Sequence, residues 1–184
     1  WRGLKHLLNV FKKLNRNDTE LNVCSSIIIY GKKFNNIYGK KYEKIFEECK
    51  NTKNVNYYGY IENYKVLELL QKVHIFSYPS TWPETSCIAA VEAMAAGCQI
   101  VSTNLGAMYE TCSPFGKLIS FDRNFEKLEK NFLEQLLLSI ENFWSEENQK
   151  KLKLQSESIN LLYSWENRSR EWIKLFEDIR KLKG

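Results

Sequence analysis

The chain has 184 residues, 43% of them hydrophobic and 27% charged, with 27 Lys and Arg against 22 Asp and Glu, a net charge of +5. That composition is globular: it excludes a disordered segment, and no apolar run approaches the roughly 20 residues that cross a bilayer. Lys and Glu alternate along most helical stretches, so the small positive excess reads as a solvated surface and not as a stripe for nucleic acid.

Periodicity gives the elements in chain order. Leu4, Leu7, Leu8, Phe11 and Leu14 recur at helical spacing and predict a helix over 3–15. Ile27–Gly31 reads as a short apolar strand ending in glycine. Tyr42, Ile45, Phe46 and Cys49 predict a helix over 37–50. Strands are predicted at 55–59 and 74–80, a helix between them at 63–72, a helix at 86–96, and a strand with its loop at 97–106. Strands and helices alternate to about Ser120, which argues for a parallel sheet with helices on both faces. After Asp122–Asn124 only helices are expected: one carrying Leu128, Phe132, Leu136 and Ile140, one opened by Ser145-Glu-Glu, and one opened by Ser164 with Trp165, Trp172, Ile173, Phe176 and Ile179.

The chemistry concentrates in Tyr78-Pro-Ser-Thr-Trp-Pro-Glu-Thr-Ser-Cys-Ile-Ala-Ala-Val-Glu-Ala-Met-Ala-Ala-Gly97. Pro83 and the pair Thr85-Ser86 before an apolar run read as a loop leading into a helix start, with Thr85 or Ser86 as the N-cap. Free backbone N–H groups at such a start suit a phosphate. Glu84 precedes the cap and Glu92 lies almost two turns in, within an apolar helix where a buried carboxylate needs a partner. One anion site flanked by two acceptors of hydroxyl hydrogens fits a sugar nucleotide. The plainer alternative for either carboxylate is an ion pair with a Lys or Arg.

This segment resembles the Glu-x7-Glu signature of retaining glycosyltransferases of the GT-B fold, and most closely those of glycosyltransferase family 4. Arg2-Gly3-Leu4 is similar to the family's basic-Gly-Leu helix start. Ile27–Gly31, Val55–Gly59, His74–Ser80 and Gly97–Gly106 resemble its second to fifth strands, and Ser164-Trp-Glu-Asn-Arg168 its closing helix. The resemblance implies a Rossmann-like donor-binding domain over residues 1–122, with C-terminal helices over 123–184 packing on it.

What it implies for the site is specific. Glu84 takes the place of the catalytic glutamate that contacts the transferred sugar's hydroxyls, and Glu92 that of the one holding the ribose. Arg2, beside Gly3, stands where relatives neutralise the diphosphate. Thr85, Ser86, Cys87 and Ile88 match the loop whose amides touch sugar or phosphates, Tyr60 and Ile61 the loop that reads the base, and Gly31 the glycine after the second strand. The implied partners are a nucleotide-sugar donor, an acceptor glycan or lipid, an N-terminal acceptor domain of the same protein, and no nucleic acid. The nucleotide-diphosphate sugar is substrate, and neither cofactor nor metal is expected, since no Asp-x-Asp motif occurs. A non-catalytic binding module, an epimerase or a phosphorylase of the same fold stays open.

The family also places a strand before the first helix, at the centre of its sheet. Without it, the flanking strands are expected about 10 Å apart, two inter-strand spacings, and the isolated chain less stable than a complete domain. Five cysteines without Cys-x-x-Cys spacing indicate neither a disulfide framework nor a zinc site, and His6 and His74 have no metal-binding pattern around them. Reduced thiols point to the cytoplasm, with membrane association through a lipid-linked acceptor compatible. Cys87 is expected to be a packing residue, as are Tyr78 and Trp82, or else the rim of a pocket.

Overall fold

The computed structural model describes residues 2–182, apart from the side chains of Ile29, Phe34 and Asn35; the outermost residues of the two expected units, Trp1 and 183–184, lie outside it. Eight helices and five strands follow one another among the described residues. They are α1 (Leu4–Leu14), β1 (Leu21–Cys24), α2 (Gly31–Asn51), β2 (Val55–Gly59), α3 (Asn63–Leu70), β3 (Ile75–Tyr78), α4 (Ile88–Ala95), β4 (Gln99–Asn104), α5 (Met108–Cys112), β5 (Lys117–Ser120), α6 (Phe125–Glu141), α7 (Glu146–Tyr163) and α8 (Trp165–Leu182).

All strand pairs are parallel, and they form two sheets, β1-β2 and β3-β4-β5. No strand pairing joins the two sheets among the described residues. β4 is the central strand of the larger sheet and is buried from Gln99 to Thr103. Its alternating side chains feed two cores. Ile100 packs among Leu70, Ala90, Met94 and Met108, and Val101 among Val10, Ile119, Phe132 and Leu136. Helices α1 and α6 therefore cover one face, and α3, α4, α5 and α7 the other, which gives the expected layers.

Two polar devices fasten the helices. The Glu129 carboxylate on α6, 7% exposed, meets His6 Nδ1 and accepts from Asn9 Nδ2 and Lys13 Nζ at 3.0, 2.8 and 3.0 Å, three groups on one face of α1. Gln155 on α7, 1% exposed, donates to the Met94 and Cys98 carbonyls at 3.2 and 2.8 Å, and Ser156 donates to the Ala95 carbonyl at 2.6 Å. The Met94 and Ala95 carbonyls at the end of α4, and that of Cys98 beyond it, thereby gain side-chain donors from α7.

The helix starts at Ser145 and Ser164 are as predicted: each hydroxyl accepts a backbone N–H three residues on, from Asn148 and Asn167. The strand expected at Ile27–Gly31 is not there. Strand pairing instead takes Leu21–Cys24, in register with β2 from Leu21 opposite Val55, and Ile28–Tyr30 form a single 3-10 turn. The Tyr30 N–H donates to the Ile27 carbonyl at 3.1 Å and closes that turn, and Ser26 Oγ accepts the Ile28 N–H at 3.2 Å at its start, so the apolar Ile27–Tyr30 run leaves the sheet. Gly31 accordingly opens α2 instead of ending a strand, and nothing lies within 4 Å of the place a Cβ would take. Helix α8 has no buried residue and exposes Trp172, Ile173, Phe176 and Ile179. Among the described residues no helix is long and apolar enough to cross a membrane.

Candidate functional site

The carboxyl end of β3 builds the site. The segment 78–84 is held by hydrogen bonds from β4 and within itself. Thr103 Oγ1 on β4 donates to the Ser80 carbonyl at 2.7 Å, and Ser102 Oγ donates to the Tyr78 carbonyl at 2.8 Å. Ser80 Oγ, itself fully buried, accepts the Trp82 N–H at 3.2 Å. The start of α1 lies against this loop: Gly3, with φ of 82°, comes so close that an added Cβ would sit 2.0 Å from the Pro79 carbonyl oxygen. Glu84 is then bound through its backbone to the loop after β4. It bridges Gly106, and its carbonyl accepts the Ala107 N–H at 2.7 Å.

These contacts converge three side chains. Tyr78 Oη donates to Glu84 Oε1 at 2.6 Å, while Arg2 Nη1 lies 3.2 Å from the same carboxylate oxygen and donates to Tyr78 Oη at 3.2 Å. The Glu84 side chain is 5% exposed and that of Arg2 49%. Burial works against the Arg2 charge, but Tyr78 and Glu84 outweigh it and raise the guanidinium above its ordinary pKa. Burial, reinforced by the Glu84 hydrogen bond, pushes the Tyr78 phenol far up, so it stays a donor. The ion pair considered for Glu84 does exist, and its partner is Arg2.

The surroundings differ from expectation in three respects. Helix α4 starts at Ile88 with Cys87 as its N-cap, not at Thr85 or Ser86, because the Gly106 bridge keeps residue 84 in an extended path and delays the first turn. Thr85 and Ser86 are exposed, as is Ile88, and Cys87 is buried. Burial raises the Cys87 thiol, in keeping with packing and not with nucleophilic attack. Glu92 is only half-buried, since it faces outward from α4, and its Oε1 accepts from Asn63 Nδ2 at 3.0 Å. Neither Gly3 nor Cys87 provides a side-chain cap, so the first-turn N–H groups of α1 and α4 are free of one.

A cleft of about 310 Å³ opens at the carboxyl ends of β1 and β2, lined by Ser25, Ser26, Gly59, Tyr60, Ile61 and Asn63. Asn63 joins it to Glu92. A larger depression of about 510 Å³, between His74 and Trp144, lies at the amino ends of β3 and β4 and holds none of the predicted residues. The carboxyl-end cleft is the relevant one, because open parallel sheets bind ligands there. No group of three His, Cys, Asp or Glu among the described residues gathers for a metal. Tyr78 is the residue that sequence reasoning underrated; its signal was a tyrosine at the end of a parallel strand, six positions from Glu84.

An open parallel α/β sheet with a charged cluster and a cleft at its strand ends is an architecture that places ligands outside the carboxyl ends of its strands. The chain belongs to the family described as Glycosyl transferases group 1, whose sequence pattern matches residues 1–151. Its structure is similar to that of a glycosyltransferase from Rickettsia africae (TM-score 0.77, 17% identity, covering 98% of this chain and 45% of that one). It is also similar to HepE from Anabaena in complex with UDP-glucose (0.70, 14%, 97% and 46%). A third likeness is to sucrose-phosphate synthase from Thermosynechococcus elongatus (0.68, 17%, 98% and 43%). The chain thus spans under half the length of these proteins. No curated protein matches it significantly in sequence.

Proposed function

We propose that the chain is the donor-binding half of a retaining glycosyltransferase that moves a sugar from a nucleotide-diphosphate sugar to a glycan or lipid acceptor. The observation that carries this is the cluster of Arg2, Tyr78 and Glu84 beside the starts of α1 and α4. A cation, two helix starts without a side-chain cap and a fixed hydroxyl acceptor are the components a sugar diphosphate needs. In this reading residues 1–122 hold the donor and 123–184 support them, with the acceptor domain elsewhere in the same protein.

Departure of the nucleoside diphosphate leaves positive charge on the sugar ring and negative charge on the phosphates. Arg2 and the two helix starts stabilise the phosphates. Glu84 orients the donor sugar through its hydroxyls and does not attack the ring. Glu92, steadied by Asn63, holds the ribose, and the cleft at Tyr60 and Ile61 takes the base. Thr85 to Ile88 present backbone to the sugar or phosphates. The complex of HepE with UDP-glucose supports a nucleotide sugar as the ligand class.

The test is a thermal-shift titration with UDP, GDP, ADP and their sugar conjugates, with Glu92→Gln as control. Ligand at a hundredfold its Kd stabilises by about 2.7 kcal/mol, several degrees in Tm. A rise for one base, lost in the variant, is expected; no rise with any nucleotide on folded protein overturns the reading. In the intact protein Glu84→Gln is expected to abolish transfer while leaving the melting curve in place.

A further inference from the structure

Glu84 presents its two oxygens unequally. Oε1 carries both the Tyr78 hydrogen bond and the Arg2 ion pair, whereas no hydrogen bond from a described residue reaches Oε2. The geometry points to Tyr78 as a positioning residue: its hydroxyl locks Glu84 Oε1 inward and so leaves Oε2 to accept a hydroxyl of the donor sugar. This inference rests on the donor-site reading above and adds the residue that sets sugar binding apart from nucleotide binding.

Tyr78 is built to be a fixed point. It ends β3 in register with Ser102, its carbonyl accepts from Ser102 Oγ and from the Ser80 N–H at 2.8 Å each, and its ring stacks on Phe76 with centroids 5.7 Å apart. Arg2, the other group on Oε1, is half-exposed and long, and holds the carboxylate less firmly. The hydroxyl has one proton, which goes to Glu84, and its oxygen accepts from Arg2, so the direction of both bonds is determined. Burial of the phenol keeps that proton in place at neutral pH. A tyrosine present only for packing would be replaced by phenylalanine without consequence, since the ring, the stack and the backbone bonds all survive.

The experiment compares, by calorimetric titration of the intact protein, the affinity for free UDP, GDP and ADP with that for their glucose conjugates in wild type and Tyr78→Phe. The conjugate is expected to weaken about tenfold, the scale of one hydrogen bond to a charged group, and the free nucleotide by less than about twofold. In a Glu84→Gln background the same substitution is expected to add little, because the bond it removes is already weakened. Glu84→Asp, which draws the carboxylate back from Tyr78, provides a second variant and the same sugar-selective loss. Equal affinities for wild type and Tyr78→Phe, or equal losses for nucleotide and conjugate, overturn the positioning role and leave the donor-site reading standing. A wild type that binds no nucleotide and no conjugate overturns both.

Discussion

Two glycines set the geometry around Glu84. At Gly106, with φ of 65°, an added Cβ would sit 2.4 Å from the Glu84 carbonyl oxygen, and at Gly3 2.0 Å from that of Pro79. Both neighbours are backbone and cannot turn aside as a side chain would. Gly106→Ala is therefore expected to cost about 1–3 kcal/mol, the range for a strained left-handed residue. Calorimetry checks it as a Tm lowered by several degrees, with loss of nucleotide-sugar binding because residue 84 moves. The cysteines give an independent check of the core. Burial raises Cys49 and Cys98 to about 11 and Cys112 to about 12, and also raises Cys87, so these four buried thiols carry almost no thiolate near neutral pH. Burial raises Cys24 as well, so the contrast rests on access: at pH 8 a thiol reagent is expected to titrate first the exposed Cys24, and the other four only on unfolding.

The contacts between elements that matter most are polar. Three α1 groups fasten to Glu129, and although burial opposes its charge, the hydrogen bonds from Asn9, His6 and Lys13 prevail and lower its pKa. A carboxylate whose folded pKa is depressed contributes its full stability above the ordinary carboxylate range, and loses it as pH falls through the lowered value. Glu129→Gln is expected to cost about 1.5–3 kcal/mol at pH 7 and progressively less in acid, where the wild type has lost the same contribution. Urea unfolding of both proteins between pH 7 and pH 3 measures the convergence. Gln155→Leu is expected to destabilise at every pH by about 1–3 kcal/mol, since it strips the Met94 and Cys98 carbonyls of a buried donor. The position of α4, and with it the floor of the site, depends on that attachment.

For the molecule as a whole, the dominant fact is that the parallel strands form two separate sheets, β1-β2 and β3-β4-β5. Of these, β1 and β3 matter most to the site. Those two strands end at the halves of the candidate site, the cleft on one side and the Arg2 cluster on the other. β4 is paired on both edges and buried on both faces, whereas β3 is partly exposed along its whole length. Native-state hydrogen exchange is expected to leave the amides of β4 slowest and those of β1 and β2 much faster, because small paired units open at lower free energy. Uniform protection of all five strands would show that the two sheets unfold as one. The apolar side of α8, with Trp172, Ile173, Phe176 and Ile179 in the open, belongs to the same scale: a stripe at helical spacing that the described residues leave uncovered.

Sequence by itself determined most of the helices, α5 excepted, and most strands, and it marked the segment on which the candidate site is read. Leu4 to Leu14 and Leu128 to Ile140 carry their periodicity within one element, Ser145 and Ser164 cap helices through neighbours three residues away, and the Glu-x7-Glu pattern needs no partner to be seen. Tertiary structure decided whatever depends on distant segments. Pairing with β2 selected Leu21–Cys24 over the more apolar Ile27–Gly31, and the Gly106 bridge moved the start of α4 from Ser86 to Ile88. The outward turn of α4 left Glu92 half-exposed beside Asn63, and Arg2 met Tyr78 and Glu84 although 76 residues separate it from the tyrosine. Strand choice and side-chain partnership are energies shared between segments, which local pattern does not contain.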